Sequence, residues 1–527
     1  MAAPSSKLAF VFFALAAALA ISPRSGARDR ADAAPAAEPA AVVPAVVYPP
    51  TLEGQIDAAL AQPFLATAQV GIFAVDLASG ETLYHKNEAT GLNPASNVKL
   101  VTTAAALGLL GPAHRYSTRL YHEKDALKDG AIEGDLYLRG GGDPSLVTED
   151  LYSLAGELRA RGIRRISGGI VIDATRFDRD ELPPGFDQKD ELAAYRAPSG
   201  AAAVNFNTFE VRVKPASAPD VAPFAMIDPP VAGIELVNDA MTKPGHLDRL
   251  GVDVENDKKK GLVVKLRGNI GLDAGVRAYR YPVVDPSRYA GEALAVALKH
   301  RGIKLGRSRI KTGEVPRDAG LVAVHYSAPL SVLIRAVNKH SNNFMAEQIL
   351  KGLAPAGSPA TFAGALQRVR DHLGELGVPA EGLQLGNGSG LYDTNRISAA
   401  QFVKMLAAVF ADFRVSSDYL ASLAIMGVDG TTRSRLEHSD RRGFVRAKTG
   451  TLDGVYCLTG YAGAPGRAPI AFAILFNGVA KADAGNARAA QNRIAEVLAR
   501  YAAGVPLVTE TPALPAAETA EPESDGE

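Results

Sequence analysis

Three groups of residues along this 527-residue chain have the types and spacing needed for acyl transfer. Ser96-Asn97-Val98-Lys99 places a hydroxyl three residues before an amine. Ser341-Asn342-Asn343 pairs a second hydroxyl with a carboxamide, and Lys448-Thr449-Gly450, running into Thr451, adds another amine and two more hydroxyls. A serine hydroxyl is a poor nucleophile until a neighbouring base takes its proton, and a lysine becomes such a base once its own pKa has fallen. The chemistry indicated is attack of serine on a peptide-type carbonyl, with lysine rather than histidine moving the proton.

Motif composition alone does not single out the nucleophile. Ser308-Arg309-Ile310-Lys311-Thr312-Gly313 contains both Ser-x-x-Lys and Lys-Thr-Gly, fused. Ile303, Leu305 and Ile310 there form a short strand-like stretch closed by Gly313 and Pro316, with no helix to fold Lys311 back onto Ser308. An ordinary exposed strand is expected. The other three motifs are set apart by order and spacing, 245 residues from Ser96 to Ser341 and 107 from Ser341 to Lys448. Competing chemistries lack their residues: there is no Gly-x-Ser-x-Gly elbow, no His-Glu-x-x-His pair and no Walker phosphate loop. Gly140-Gly141-Gly142-Asp143-Pro144 and Gly386-Asn387-Gly388-Ser389-Gly390 miss the dinucleotide spacing and read as tight turns. The nine histidines include no i, i+4 pair, so neither a cofactor nor a metal is expected.

The elements that must position these groups are legible in outline. Val70 to Tyr84 alternates apolar residues across Asp76–Gly80 and reads as a hairpin. Pro94-Ala95-Ser96 opens a helical run from Val98 to Leu110, stopped by Gly111-Pro112. Ser96 then stands at the start of a buried helix, where serine and lysine three apart share a face and free N–H groups point at any anion forming beside the serine. The stretch from about Tyr116 to Pro316 carries short strands, glycine-rich turns and a helix at Glu149–Arg161, as inserted material would. Helices are expected over Ser331–Leu350, carrying Ser341, and over Ser398–Ala411. Ala447–Cys457 and Ile470–Phe476 read as adjacent strands, with the first continuing through Val455 to Leu458. A closing helix over Asn486–Tyr501 presents Ile494, Val497, Leu498 and Tyr501 on one face. A hairpin early, strands late and a final helix imply one sheet built from both chain ends.

Bulk properties narrow the partners. Lysine plus arginine equals aspartate plus glutamate at 57 each, which leaves no broad field for nucleic acid or an anionic membrane. Cys457 is the single cysteine, so no intrachain disulfide can form. Lys7 followed by the apolar run Leu8–Ile21 and small residues reads as an export signal, too short to span a membrane comfortably. Export is expected, to the periplasm, with at most peripheral membrane association. Ala31–Pro50 and the acidic Thr509–Glu527 read as disordered tethers.

Beyond the three motifs, the chain resembles the class C low-molecular-mass penicillin-binding proteins, D-alanyl-D-alanine carboxypeptidase/endopeptidases of the penicillin-binding protein four type. The resemblance rests on Asp135-Leu136-Tyr137-Leu138 before Gly140–Leu146, on Gly168–Asp173 with Phe177, on Tyr195-Arg196-Ala197-Pro198 and on Asn387–Leu391. It implies an α/β (α+β) fold: a β-lactamase/transpeptidase-like serine-acylating domain with an antiparallel sheet between helical layers, interrupted by two nested, mainly β inserted domains. The expected division is a signal peptide over 1–27 and a linker over 28–50, then transpeptidase-like parts over 51–115 and 323–508. Inserted parts fall over 116–204 and 276–322, a nested domain over 205–275 and an acidic tail over 509–527.

By this resemblance Ser96 is the nucleophile and Lys99 its base, partly neutral because Lys448 raises the local potential. Ser341 passes the proton to the leaving amine, and Asn343 bonds the substrate amide or holds Lys99. The N–H groups of Ser96 and Thr451 form an oxyanion hole. Lys448, Thr449, Gly450 and Thr451 bind the terminal carboxylate, and Asp173, with Phe177 beside it, receives the free amine of a diamino acid. Peptidoglycan stem peptides are the expected substrates and β-lactams covalent inhibitors. A β-lactamase or esterase of the same fold, or a non-catalytic cell-wall binding protein, are the alternatives. Where the family usually runs Asp-Gly-Ser-Gly-Leu-Ser-Arg, this chain has Asn387 at the first position and Tyr392-Asp393 at the end.

Overall fold

In the computed structural model, residues 46–47, 49–189, 191–246, 248–257, 261–508 and 510–511 are described. The expected export signal and nearly all of the expected tethers lie outside them. Within the tethers, Val46–Val47 pairs antiparallel with Glu510–Thr511, so these two stretches are joined rather than separate tails.

Six antiparallel strands form the central sheet, in the order Ala424–Ile425, Val445–Leu452, Val455–Ala462, Ile470–Asn477, Gln69–Asp76 and Thr82–Lys86. The early hairpin docks on the last strand, with Val70 opposite Phe476 and Asp76 opposite Ile470. Strand Ile470–Asn477 is apolar almost throughout because both of its faces are covered. Phe472, Ile474 and Phe476 pack with Ile494, Val497 and Leu498 of helix Ala484–Ala503. Ala471, Ala473 and Leu475 join Leu100, Ala104 and Leu107 of helix Val98–Leu110 in the opposite layer.

Two expectations are corrected here. The single strand expected over Ala447–Cys457 is two strands joined at Asp453-Gly454, and the second of them separates Val445–Leu452 from Ile470–Asn477. The single helix expected over Ser331–Leu350 is two, Leu330–His340 and Asn343–Gly352, with Ser341 left-handed at φ 58° between them.

The chain leaves this core along Ser117–His122 and returns along Gly320–Tyr326, which pair antiparallel. Between them, Leu136–Arg139 and Ile170–Asp173 lie parallel, as a strand–helix–strand crossover through helix Thr148–Ala160 requires. Ile310–Thr312 adds parallel to Ile170–Asp173 after helix Pro286–His300. A nested lobe holds Thr208–Lys214 between Phe224–Asp228 and Arg277–Pro282, beside a sheet dominated by the hairpin Asp248–Asp257 with Gly261–Gly271. Strand Arg277–Pro282 pairs with Thr208–Lys214 of that lobe, and Gly320–Tyr326 runs through residue 322 as one strand. The lobe and the surrounding insertion share one apolar core.

Candidate active site

Four backbone segments converge on Ser96. It sits in the helical turn Ala95–Asn97 that leads into helix Val98–Leu110. The turn holds Ala95 at φ 44°, a conformation that a residue with a β-carbon adopts only when its surroundings impose it. Asn93 supplies the constraint. Its Oδ1 accepts the Ala95 N–H at 2.9 Å, while its backbone N–H and C=O exchange bonds with the Asn477 side chain at 2.9 and 3.0 Å. On the other side, a β-carbon at Gly390 would overlap the Ala95 carbonyl, so the turn is clamped between sheet and glycine loop. Gly450 has a similar reason to be glycine: a β-carbon there would stand 2.6 Å from the Pro94 oxygen.

Lys99 is fully buried, 0 % exposed, and its Nζ has three oxygen neighbours. These are Ser96 Oγ at 2.9 Å, Asn343 Oδ1 at 2.7 Å and the Ser389 carbonyl at 2.7 Å. Burial holds its pKa well below the ordinary lysine range, and the positive charge of Lys448 lowers it further while Glu347 pulls the other way. A neutral amine has two N–H bonds and one lone pair. With Asn343 and Ser389 each accepting one N–H, the lone pair is left facing the Ser96 hydroxyl.

The second amine is arranged differently. Lys448 Nζ, also 0 % exposed, donates to Ser341 Oγ at 2.9 Å and to the Thr449 carbonyl at 2.8 Å. The left-handed Ser341 ends one helix, and Asn342 caps the next by accepting the Met345 N–H at 2.9 Å. That junction aims Ser341 at Lys448 and Asn343 at Lys99, which an unbroken helix would not do. The Thr449 and Thr431 hydroxyls lie 2.7 Å apart.

Strand Val445–Leu452 presents an edge to this site. Ala424–Ile425 covers it only at Arg446 and Ala447. The Val445 carbonyl accepts from Met426 on that side, and the Phe444 carbonyl accepts from Gly463 on the other. Alternation along the strand therefore turns the N–H and C=O of Thr449 and Thr451 toward the uncovered edge.

Several contributing residues carried no signal in the three motifs. Glu347, one turn beyond Asn343, is buried and accepts the N–H of Gly388 at 3.0 Å and of Ser389 at 2.7 Å, which fixes the carbonyl that faces Lys99. Burial raises its pKa against these hydrogen bonds and the Lys99 charge. The glycine run 386–390, read as a tight turn, is thus part of the site. Its neighbour Tyr392 donates to Glu191 Oε1 at 3.0 Å, as Tyr195 does at 2.7 Å, and the Tyr195 carbonyl accepts from Asn343 Nδ2 at 3.1 Å. Asp393 pairs with Arg396, three residues on, at 2.5 Å.

Among the described residues, the contacts of Asp173 and Phe177 lie within the insertion and its junction with the core. Asp173, 2 % exposed, accepts from the Thr175 N–H and hydroxyl at 3.0 and 2.6 Å and from the Val315 N–H at 3.1 Å, and it pairs with Arg139 at 3.4 Å. Phe177 is buried beneath Arg176 and Lys351. The fused motif forms the exposed strand Ile310–Thr312, where Lys311 pairs with Asp135 at 2.6 Å. Among the described residues no group of His, Cys, Asp and Glu could hold a metal, and no helix is long and apolar enough to cross a membrane.

The antiparallel sheet between helical layers, with a serine at the head of a buried helix, defines a serine-type hydrolase of transpeptidase-like architecture. The chain belongs to the D-Ala-D-Ala carboxypeptidase 3 (S13) family, whose model matches residues 52–501, and is accordingly a serine-type D-alanyl-D-alanine carboxypeptidase. It is 35% identical over 470 residues to the D-alanyl-D-alanine carboxypeptidase of Actinomadura sp. (strain R39), covering 86% of this chain and 85% of that protein. It is 27% identical to the D-alanyl-D-alanine carboxypeptidase DacB of Haemophilus influenzae, over 80% of this chain and 88% of that one. The fold matches the crystal structure of penicillin binding protein 4 (dacB) from Haemophilus influenzae with a TM-score of 0.71 at 24% identity, covering 85% of this chain and 98% of that one.

Proposed function

We propose that Ser96 attacks the carbonyl between two D-alanines at the end of a peptidoglycan stem peptide and that Lys99 takes its proton. The observation that carries this is the fully buried Lys99 amine, its pKa held well below the ordinary lysine range by burial, standing 2.9 Å from Ser96 Oγ and bonded to Asn343 Oδ1 and the Ser389 carbonyl. Attack forms the Ser96 Oγ–carbonyl bond. The tetrahedral oxyanion lies between the Ser96 and Thr451 N–H groups, an arrangement worth roughly 3–4 kcal/mol per donor. Ser341, polarised by Lys448, relays to the departing D-alanine amine the proton that Lys99 took, so both return to their starting states as the C–N bond breaks. Lys448, Thr449 and Thr451 bind the terminal carboxylate along the uncovered strand edge, with Gly450 allowing that strand to pass the nucleophile turn. Water then releases the acyl group.

The same site accepts a cross-linked peptide, giving endopeptidase activity. A β-lactam acylates Ser96, because its carbonyl and carboxylate stand where those of acyl-D-alanyl-D-alanine would. One solved relative, penicillin binding protein 4 from Haemophilus influenzae, is described in complex with a β-lactam, and supports this reading. Its place of action is outside the cytoplasm, in the periplasm, since the substrate is cell-wall peptide. Asp173 and Phe177 are assigned to holding the insertion together, because the Asp173 carboxylate is already occupied by its own chain. We place the insertion at 116–326, with the nested lobe at 208–282.

Incubation with a fluorescent penicillin followed by peptide mapping tests the assignment. Label is expected on the peptide carrying Ser96, and label on Ser308, or none, overturns it.

A further inference from the structure

At the opposite end of the nucleophile helix, about 20 Å from Ser96 by the length of its 13 residues, a cleft of about 470 Å³ opens between the catalytic core and the insertion. Arg119, Arg139 and Arg176 reach it from the insertion, Arg115 from the core segment just before it and Arg368 from helix Phe362–Glu375 of the core. Among the described residues, no acidic one lines it. In a chain with equal numbers of acidic and basic residues, five guanidinium groups around one cavity are a local concentration.

The charge is poorly countered. Arg139 pairs with Asp173 at 3.4 Å. Arg115, Arg176 and Arg368 donate instead to neutral carbonyls, those of Ser327 at 2.7 Å, Gly352 at 3.1 Å and Leu353 at 2.9 Å. These bonds fix the guanidinium planes without neutralising them. The Arg119 side chain has no polar partner among the described residues, its backbone being paired in the sheet. The buried Asp143 pairs with His325 at 3.6 Å, and its charge is also felt by Tyr116, which lines the cleft. Tyr116, 5 % exposed and lining the cleft, has a hydroxyl with no hydrogen-bond partner. Buried hydroxyls are nearly always paired, and the acidic group that acts on this one is the buried Asp143, whose Oδ2 likewise has no hydrogen-bond partner.

We propose that this cleft binds a compact phosphate-bearing anion of at least two negative charges. Guanidinium forks suit both carboxylate and phosphate oxygens. Here they arrive from several chain segments at once, which a tetrahedral group can meet on several sides and a planar carboxylate cannot. The cavity has room for the phosphate and part of a carrier. Because Arg368 belongs to the core and Arg119 and Arg176 to the insertion, the bound anion ties the two together.

Isothermal calorimetry of the full chain with inorganic pyrophosphate at low salt tests this. Saturable one-to-one binding with a Kd below about 1 mM is expected, weakened at least ten-fold by both Arg119→Gln and Arg368→Gln. D-alanine release from a model peptide should stay unchanged in both variants. Arg119 has no partner to lose, so its variant remains informative if Arg368→Gln folds poorly. Citrate should bind at least ten-fold more weakly than pyrophosphate. Glucose 1-phosphate distinguishes the sources, since its binding supports an esterified phosphate and its exclusion supports a free anion. Absence of saturable binding, an unchanged Kd in Arg119→Gln, or citrate binding as tightly as pyrophosphate overturns the proposal.

Discussion

Gly390, at φ 80°, lies against the Ala95 carbonyl with no room for a β-carbon between them. The contact joins the loop whose Ser389 carbonyl faces Lys99 to the turn that carries Ser96. Gly390→Ala therefore meets both a left-handed backbone penalty and a collision with backbone atoms that cannot yield cheaply. We expect about 100-fold slower acylation by penicillin, the scale of loss that follows from misplacing a reacting group by an ångström. Stopped-flow acylation kinetics check this, and a wild-type rate would refute the clamp.

Lys99 must be neutral to accept a proton, and its pKa is depressed. Activity therefore rises with pH through the depressed lysine pKa and is lost below it. Glu347 raises the Lys99 pKa, so Glu347→Gln, which keeps an acceptor for the Gly388 and Ser389 N–H groups, should move the acid limb of kcat/KM to lower pH. Lys99→Ala should lower the acylation rate by about 10²–10⁴-fold, the usual contribution of a general base. An acid limb that stays in place in Glu347→Gln would show that no charge from Glu347 reaches the amine.

Asp173→Asn separates a structural from a recognition role. Removing the charge weakens the bonds to Thr175, Val315 and Arg139 and should lower Tm. The ratio of KM values for stem peptides with a free and an acetylated diamino-acid amine should not change. A ratio that falls toward one would assign the carboxylate to the substrate instead.

Glu181 makes stability fall as pH rises. Burial, helped by Asp285 and opposed by Lys351, pushes its carboxyl up to about 7 from an ordinary 4.5. Between those values the folded chain binds the proton more tightly than the unfolded chain, so this contribution is complete below 4.5 and lost through about 7. Glu181→Gln should melt higher than wild type at pH 8 and nearly level with it at pH 4.5, as thermal unfolding at the two values would show.

Much of this site could be read before folding because its chemistry is local. Ser96 and Lys99 share a helical face by spacing alone, and the order of the three motifs set the Ser308 match aside. What escaped was tertiary. Nothing between Ser331 and Leu350 forbids a continuous helix, and the break at Ser341 exists because Lys448 and Lys99 each claim one end of the motif. Glu347 was visible as the residue one turn past Asn343, but its partners come from a loop some 40 residues later. The turn at Asp453-Gly454 had a turn dipeptide, masked by apolar residues on both sides. Likewise, the strand limits of the insertion follow from pairing across long separations, which composition does not record.

The pairing of Gln69–Asp76 with Ile470–Asn477 also governs timing. The turn bearing Ser96 is seated by Asn477, a residue synthesised 384 positions after Asn93. Until that last strand arrives, the turn bearing Ser96 lacks its two bonds to Asn477, and the loop closure still to be made is a long one. A copy cut short before Asn477 would carry the nucleophile without the two side-chain bonds that seat its turn.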